Sequence, residues 1–393
     1  MKHLIALFLL CLISCTSQAQ CPDPEIQVGM SDTTTYFPLL EGKRVAVLAN
    51  RTSVLFDKKG KMVHLVDLLH RRANVVAILS PEHGFRTTAD AGQAVDDSTD
   101  PQTGIPIRSL YNGHTLRPKD SVMHSFDVLV IDLQDVGLRF YTYYISMLRM
   151  MQAAADFQKE VIVLDRPNPN GDKVEGPILD PKYKSGVGQI PIPILHGLTM
   201  GEIALMAQGE GWVKYSKLTV VACRNYTHTR SYTLPIAPSP NLATQRAIYL
   251  YASLCPMEGT PLSVGRGTAH PFECFGHPNF TEEQGYTYCF TPQSTSGASN
   301  PPLKGIACRG VDLSQMPLDE ARQKGFSLQY LIQAYHDSHL GDQFFTPMFE
   351  KLIGVDYVRR MIQAGATEEE IRRCWLQDLE QYRSLRAKYL IYE

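Results

Sequence analysis

Four short apolar runs, rich in β-branched residues and separated by stretches with helical spacing, limit this chain more than any other feature. They are residues 44–49 (RVAVLA), 74–79 (NVVAIL), 126–131 (FDVLVI) and 160–164 (EVIVL). A strand with one wet face alternates apolar and polar residues, whereas a continuous apolar run suits a strand covered on both faces. Between the runs, residues 64–72 put Leu65, Leu68 and Leu69 on one helical face, and 144–157 reads as a longer helix. A helix at 201–208 leads to a further run at 218–221 (LTVV). This alternation predicts an α/β fold: a Rossmann-like, mostly parallel sheet with helices on both faces. After about residue 234 the pattern changes, and Pro235, Pro238 and Pro240 mark a connection. A helix is expected at 244–254, short strands and loops through the Gly- and Pro-rich 256–302, and helices again at 328–335, 357–364 and 368–389. The expected division is a leader at 1–20, a Rossmann-like catalytic domain at 21–235, and a smaller α+β domain at 236–393 that completes an active-site cleft.

Composition removes several function classes. A hydrophobic share of 44% supports a sizeable core. The 38 Lys and Arg against 40 Asp and Glu leave no basic excess, so no nucleic-acid partner is expected. The start of the chain reads as an export signal: a short basic opening, then an apolar stretch at 4–13 that is too short for a lasting membrane span. Two processing sites compete. Residues 12–15 (LISC) resemble a lipobox, which would anchor the protein through a lipid on Cys15. Residues 17–19 (SQA) suit an ordinary signal peptidase cutting before Gln20. The lipoprotein reading is preferred, and both place the mature protein outside the cytoplasm, periplasmic or membrane-anchored in a bacterium. Seven cysteines follow the leader, four of them between Cys255 and Cys308, where a disulfide and buried free thiols are alternatives.

In open parallel sheets ligands bind outside the carboxyl ends of the strands, so the loops after residues 79, 131 and 164 are the places to look. The first carries Pro81-Glu82-His83-Gly84-Phe85. A carboxylic acid beside an imidazole at a strand end suits general acid–base work, and Glu82 and His83 are the leading catalytic candidates. A helix-capping or Arg-paired glutamate is the plainer alternative. The second loop, 132–144 (DLQDVGLRFYTYY), holds Asp132, Gln134, Asp135, Arg139 and Tyr141. Fixed donors and acceptors with flat rings suit a carbohydrate, although the acids also suit turns and caps. Asp135 joins the catalytic set, and the others are candidate binding residues. The third loop, 165–171 (DRPNPNG), presents Arg166 and Asn168, with Glu175 close behind. Further on, 258–268 (EGTPLSVGRGT) offers Glu258 and, between two glycines, Arg266 for an anionic ligand. His196 precedes Thr199 and Glu202, whose T-x-x-E spacing is a helix capping box.

Absent signatures also count. Residues 50–53 (NRTS) stand where a dinucleotide-binding sheet carries its glycine-rich turn, so no nicotinamide or flavin cofactor is expected. His270, Cys274 and His277 lack an evident fourth ligand, and no metal is expected. Neither H-E-x-x-H nor G-x-S-x-G occurs.

Taken together, SPEHGF (80–85), DLQDVGLRFYTYY (132–144), DRPNPNG (165–171), VEGP (174–177), HGLTMGE (196–202), SPNL (239–242) and EGTPLSVGRGT (258–268) resemble, in order, the NamZ-type exo-β-N-acetylmuramidases. The resemblance implies two domains with a cleft between them, and release of N-acetylmuramic acid from the non-reducing end of peptidoglycan fragments during wall turnover. It implies that Glu82 is the key acid. Its partner is left as Asp132, Asp135, Glu175, Glu258 or the substrate's own acetamido group. An arginine is expected to hold the lactyl carboxylate, with Arg139, Arg166 and Arg266 as candidates. One departure is visible: Thr87-Thr88 follows Arg86 where the family's loop is expected to carry glycine. An esterase or amidase of the envelope, or a non-catalytic glycan-binding lipoprotein, is the alternative.

Overall fold

A computed structural model describes residues 24–57, 59–86, 96–110 and 117–393. The leader with Cys11 and Cys15, Cys21 and the Thr87-Thr88 departure lie outside the described residues. The first half forms a seven-stranded sheet. Its six parallel strands are β1 (Arg44–Ala49), β2 (Asn74–Ser80), β3 (Pro106–Ser109), β4 (Val128–Asp132), β5 (Glu160–Leu164) and β6 (Leu218–Val221). Their spatial order is β3-β2-β1-β4-β5-β6, and Ser98–Thr99 adds a short antiparallel edge beside β3. The chain thus winds one way from β1 to β3 and then the other way from β4 to β6, the doubly wound pattern.

The continuous apolar runs have their physical reason here. Val45, Val47 and Ala49 of β1 pack with Val128, Val130, Ile162 and Leu164 on one face, where Tyr36, Leu65 and Leu69 cover them. The alternate residues Ala46 and Leu48 pack with Leu129, Ile131, Val161 and Val163 on the other face. Both sets are buried, and each large aliphatic side chain so placed contributes about 1.5–3 kcal/mol. The second face is covered by helices α1 (Tyr143–Asp156) and α2 (Met200–Gly209). Strand β3 was not anticipated from sequence. Its four residues, PIRS, are too few and too polar to stand out, and it is fixed by pairing Ile107 beside Ile78.

The second half is smaller and mixed. Helix α3 (Gln245–Leu254) is capped by Thr244, whose hydroxyl accepts from the Ala247 N–H. An antiparallel sheet orders β7 (Cys274–His277), β9 (Cys308–Asp312) and β8 (Tyr288–Phe290), with β9 in the middle. Helix α4 (Pro347–Ile353) follows a Thr346 cap. One core runs unbroken from the second sheet face into this half, through Leu250, Phe272, Phe326 and Trp375. The expected helix at 368–389 is broken. Glu368–Arg373 opens on a Thr367–Glu370 capping box, and α5 (Leu376–Arg386) starts afresh after Trp375. The turn between them lets Trp375 enter the core against Phe326, at 1% exposure. The six described cysteines are free thiols.

Candidate active site

The turn after β2 is unusual. His83 and Gly84 both adopt left-handed backbone, at φ 69° and 85°. A non-glycine residue there is uncommon, and such outliers cluster at functional sites. The turn tucks Glu82 and His83 into a cavity of about 310 Å³, each side chain 8% exposed. Arg86 secures the far end of the turn through Asp67, at 2.6 Å, and Asp100, at 3.0 Å.

Opposite Glu82 stands the N-terminus of α1. Thr142 occupies the N-cap position but makes no capping bond. Its hydroxyl instead donates to Glu82 Oε2 at 2.5 Å. Phe140, Tyr141, Thr142 and Tyr143 all line the cavity. The second half supplies the other wall. Tyr251 of α3 packs edge-on to Phe140 and Phe272, with ring centroids 5.2 and 4.7 Å apart. Ser239, Asn241, Met348 and Leu352 complete it. Glu258 and Arg266 are the charged pair of this wall: Arg266 Nε donates to Glu258 Oε1 at 2.5 Å, and the guanidinium lies over the Phe272 ring. Burial works against the Arg266 charge, but Glu258 outweighs it and drives its pKa upward. Burial raises the Tyr251 hydroxyl and the neighbouring Cys255 thiol well above their ordinary values.

Of the sequence candidates, the cavity gathers Glu82, His83, Tyr141, Glu258 and Arg266. The rest are set elsewhere, each for a visible reason. Asp132 holds Arg166 through bonds of 2.5 and 3.0 Å, and both are buried at the strand ends. Ser53, Thr52 and Gln134 fill the remaining space there, so the crevice between β1 and β4 is occupied by the protein's own polar groups. The Gln134 amide donates to the carbonyls of Asp135 and Pro167, and Asn168 ties Leu198 to Asn170. Glu175 accepts from the Phe326 N–H at 2.8 Å and so pins the second half. Arg139, expected as a carboxylate clamp, is fully buried and donates to the carbonyls of Pro177, Ile192, Leu352 and Ile353. Burial lowers its pKa to about 10. His196 is also buried, and burial pushes it down to about 3, so it stays neutral.

Asp135, placed in the catalytic set from sequence, does not line the cavity. Its Oδ1 accepts from the Gly137 N–H at 2.8 Å, while the buried Oδ2 has no hydrogen-bond partner. Burial therefore raises its pKa from 3.8 to about 7. The folded protein holds this proton more tightly than the unfolded chain does, so the stability it contributes is present below about pH 4 and is lost as pH rises through 7. An Asp135→Asn variant cannot titrate. Its melting temperature minus that of wild type is expected to climb between pH 4 and 8; parallel curves across that range would contradict the assignment.

Sequence reasoning missed Thr142 as a partner of Glu82, and it missed Tyr251, Phe272, Met348 and Leu352 as wall residues. Thr142 was within a quoted motif, so its signal was present. The others carry apolar helical or loop spacing that reads as core.

Comparisons with known proteins bear on this arrangement. Residues 45–246 match the N-terminal domain family described as exo-β-N-acetylmuramidase NamZ, and residues 249–392 match its C-terminal domain family. The chain is 36% identical over 395 residues to the peptidoglycan β-N-acetylmuramidase NamZ of Bacillus subtilis, covering 94% of this chain and 92% of that protein. Two crystal structures of DUF1343 family proteins from Bacteroides fragilis share its fold. One superposes with a TM-score of 0.86 at 50% identity, over 94% of this chain and 99% of its own. The other superposes at 0.80 with 29% identity, over 94% and 100%. The two matched domains meet in the first turn of α3, and the cavity draws its walls from both; the chain belongs to the NamZ family.

Proposed function

We propose that this protein is an exo-β-N-acetylmuramidase that releases N-acetylmuramic acid from the non-reducing end of peptidoglycan fragments, with Glu82 as its general acid. The observation that carries this is a cavity large enough for about one sugar ring, with a carboxyl group held at one wall and an arginine at the other. Its volume lies at the lower end for small-ligand sites, which suits a terminal residue rather than the middle of a strand. In the reaction Glu82 gives its proton to the glycosidic oxygen as the bond to the anomeric carbon breaks, and water then adds at that carbon, giving up a proton that restores the Glu82 carboxylic acid. The aromatic wall offers ring faces to the sugar. Glu258 occupies Nε and one terminal nitrogen of Arg266, which leaves donors on the other nitrogen for the lactyl carboxylate. Asp132, Asp135 and Glu175 are engaged elsewhere. The partner of Glu82 thus narrows to Glu258, the other carboxylate on the cavity wall, or the substrate's acetamido group.

The test is a panel of chromogenic glycosides and defined wall fragments, with products identified by mass. Free N-acetylmuramic acid is the expected product; a lost acetyl group or peptide, or binding without turnover, would replace this reading. Thr142 offers a finer check. Its hydroxyl donates to the acid, so Thr142→Val is expected to lower kcat about tenfold with little change in KM, the loss of one charge-assisted hydrogen bond. Thr142→Ser should restore most of the rate. A rise in KM alone would instead make Thr142 a substrate contact.

For location we infer action outside the cytoplasm, supported by the basic and apolar opening of the sequence. Mass analysis of the mature N-terminus decides between a lipidated Cys15 and a soluble form beginning at Gln20.

A further inference from the structure

One polar group on the cavity wall is not used by the fold. Tyr141, just before α1, lines the cavity at 6% exposure. Its hydroxyl is shielded from solvent and has no hydrogen-bond partner among the described residues. Its neighbours on the same wall are both engaged. The Thr142 hydroxyl donates to Glu82 at 2.5 Å, and the Tyr143 hydroxyl donates to the Pro238 carbonyl at 3.0 Å. The Tyr141 ring is held in place. Its own N–H donates to the Leu138 carbonyl at 2.9 Å, and the ring packs edge-on to those of Tyr143 and Tyr251, with centroids 4.8 and 6.4 Å away. A buried hydroxyl without a partner has given up water and gained nothing, so it works against folding. Phenylalanine would fill the same space without that cost. The hydroxyl therefore suits a partner from outside the chain.

The surroundings narrow what that partner is. Burial, with the Tyr143 hydroxyl close by, raises the Tyr141 pKa well above its ordinary value, so the group stays a neutral O–H donor. Tyr143, Tyr251, Phe140 and Phe272 form an aromatic collar on the same cavity. A carboxylate placed there would lose its hydration for one neutral bond, whereas Arg266 offers it a charge. A sugar hydroxyl has no apolar part to set against the rings. The acetamido group does: it joins a neutral carbonyl acceptor to a methyl.

We propose that Tyr141 is the specificity residue for the 2-acetamido group of the terminal sugar, its hydroxyl donating to the acetamido oxygen while the Tyr143 and Tyr251 rings enclose the methyl. The proposal rests on the muramidase reading above. It also fits the order of the chain. Tyr141 directly precedes Thr142, which holds the acid, just as the acetamido-bearing carbon directly adjoins the anomeric carbon. Glu82, Tyr141 and Arg266 then address successive ring positions: the leaving oxygen, the acetamido group and the lactyl carboxylate.

The experiment compares kcat/KM for a chromogenic β-N-acetylmuramide and for its counterpart with a plain hydroxyl at the acetamido position, the 3-O-lactyl β-glucoside, in wild type and Tyr141→Phe. Wild type should prefer the acetamido sugar, and in the variant that preference should fall about tenfold, the loss of one hydrogen bond. The preference is the readout because general damage to the catalyst cancels in it. A preference that survives the substitution, or an equal loss on both substrates, would overturn the assignment. Thermal unfolding gives an arm independent of turnover. Without ligand, Tyr141→Phe should melt at or above the wild-type temperature, since it removes an unpaired polar group. A variant that melts several degrees lower would show that the hydroxyl is bonded within the fold, which also overturns the proposal. Free N-acetylmuramic acid should raise the melting temperature of wild type more than that of the variant, and 3-O-lactyl-glucose should raise both alike. If no substrate releases N-acetylmuramic acid, the muramidase reading fails, and the melting shifts with the two free sugars still decide Tyr141.

Discussion

Glu82→Gln is expected to reduce release of N-acetylmuramic acid by a factor on the order of 10²–10⁴, the usual worth of a positioned general acid. The change is nearly isosteric. The amide oxygen still accepts from Thr142, so the turn after β2 and the N-terminus of α1 keep their contact. What disappears is the transferable proton. The loss should fall on kcat, because the aromatic wall and Arg266 are untouched. Thermal unfolding within a degree or two of wild type would establish that the fold is intact. Near-wild-type turnover on a chromogenic muramide would remove Glu82 from the chemistry and turn attention to Glu258.

The largest effect on stability is expected at Arg139. Its guanidinium is fully buried and bonds four carbonyls, with no carboxylate among the described contacts. Two belong to Pro177 and Ile192 in the first half. The other two, Leu352 and Ile353, end α4, where helical carbonyls have no partner within the helix and the dipole is negative. Arg139 therefore satisfies a helix terminus and joins it to the sheet domain. Ile192 also accepts from the Leu179 N–H, but Arg139→Ala leaves the carbonyls of Pro177, Leu352 and Ile353 dry and unpaired, each at about 1–3 kcal/mol, so a loss of at least 3 kcal/mol is expected by denaturant titration. Arg139→Lys should recover only part, since one ammonium cannot reproduce the planar fork. A change below 1 kcal/mol for the alanine variant would mean that water replaces the guanidinium.

The sheet was legible because a strand buried on both faces must be apolar along its covered length, and β1, β2, β4 and β5 carry polar residues only at their ends. Strand β3 was not, since its place depends on β2 and not on its own residues. The break at Trp375 escaped for a related reason: helical spacing was good on both sides, and the pull of the core on one indole is a tertiary effect. At the site, Glu82 was legible from its place after a strand. The strand-end rule overreached with Asp132 and Arg166, because whether a polar strand end faces a ligand or another part of the chain depends on what packs above it. Here each closes on the other. Arg139 misled in the same way, since its type suits an anion and its surroundings are four carbonyls.

The buried polar cluster beside α2 has a consequence for how the chain reaches this state. Asp165, at the end of β5, accepts from the Thr199 hydroxyl and from the hydroxyl of Tyr392, each at 2.7 Å. Glu202 of the Thr199 capping box receives the Ile391 N–H at 3.0 Å and contacts His228 at 2.9 Å, while the His228 N–H donates to the Glu393 carbonyl. The first domain's polar interior is thus sealed by residues some two hundred positions downstream. Closing so long a loop is slow, and local helices and hairpins form well before it. The sheet domain is therefore expected to keep Asp165 and Glu202 open to water until the final residues dock. Refolding should show a late phase that Tyr392→Phe slows or uncouples, and a fragment ending near residue 246 should populate a loosely packed state without a cooperative melt.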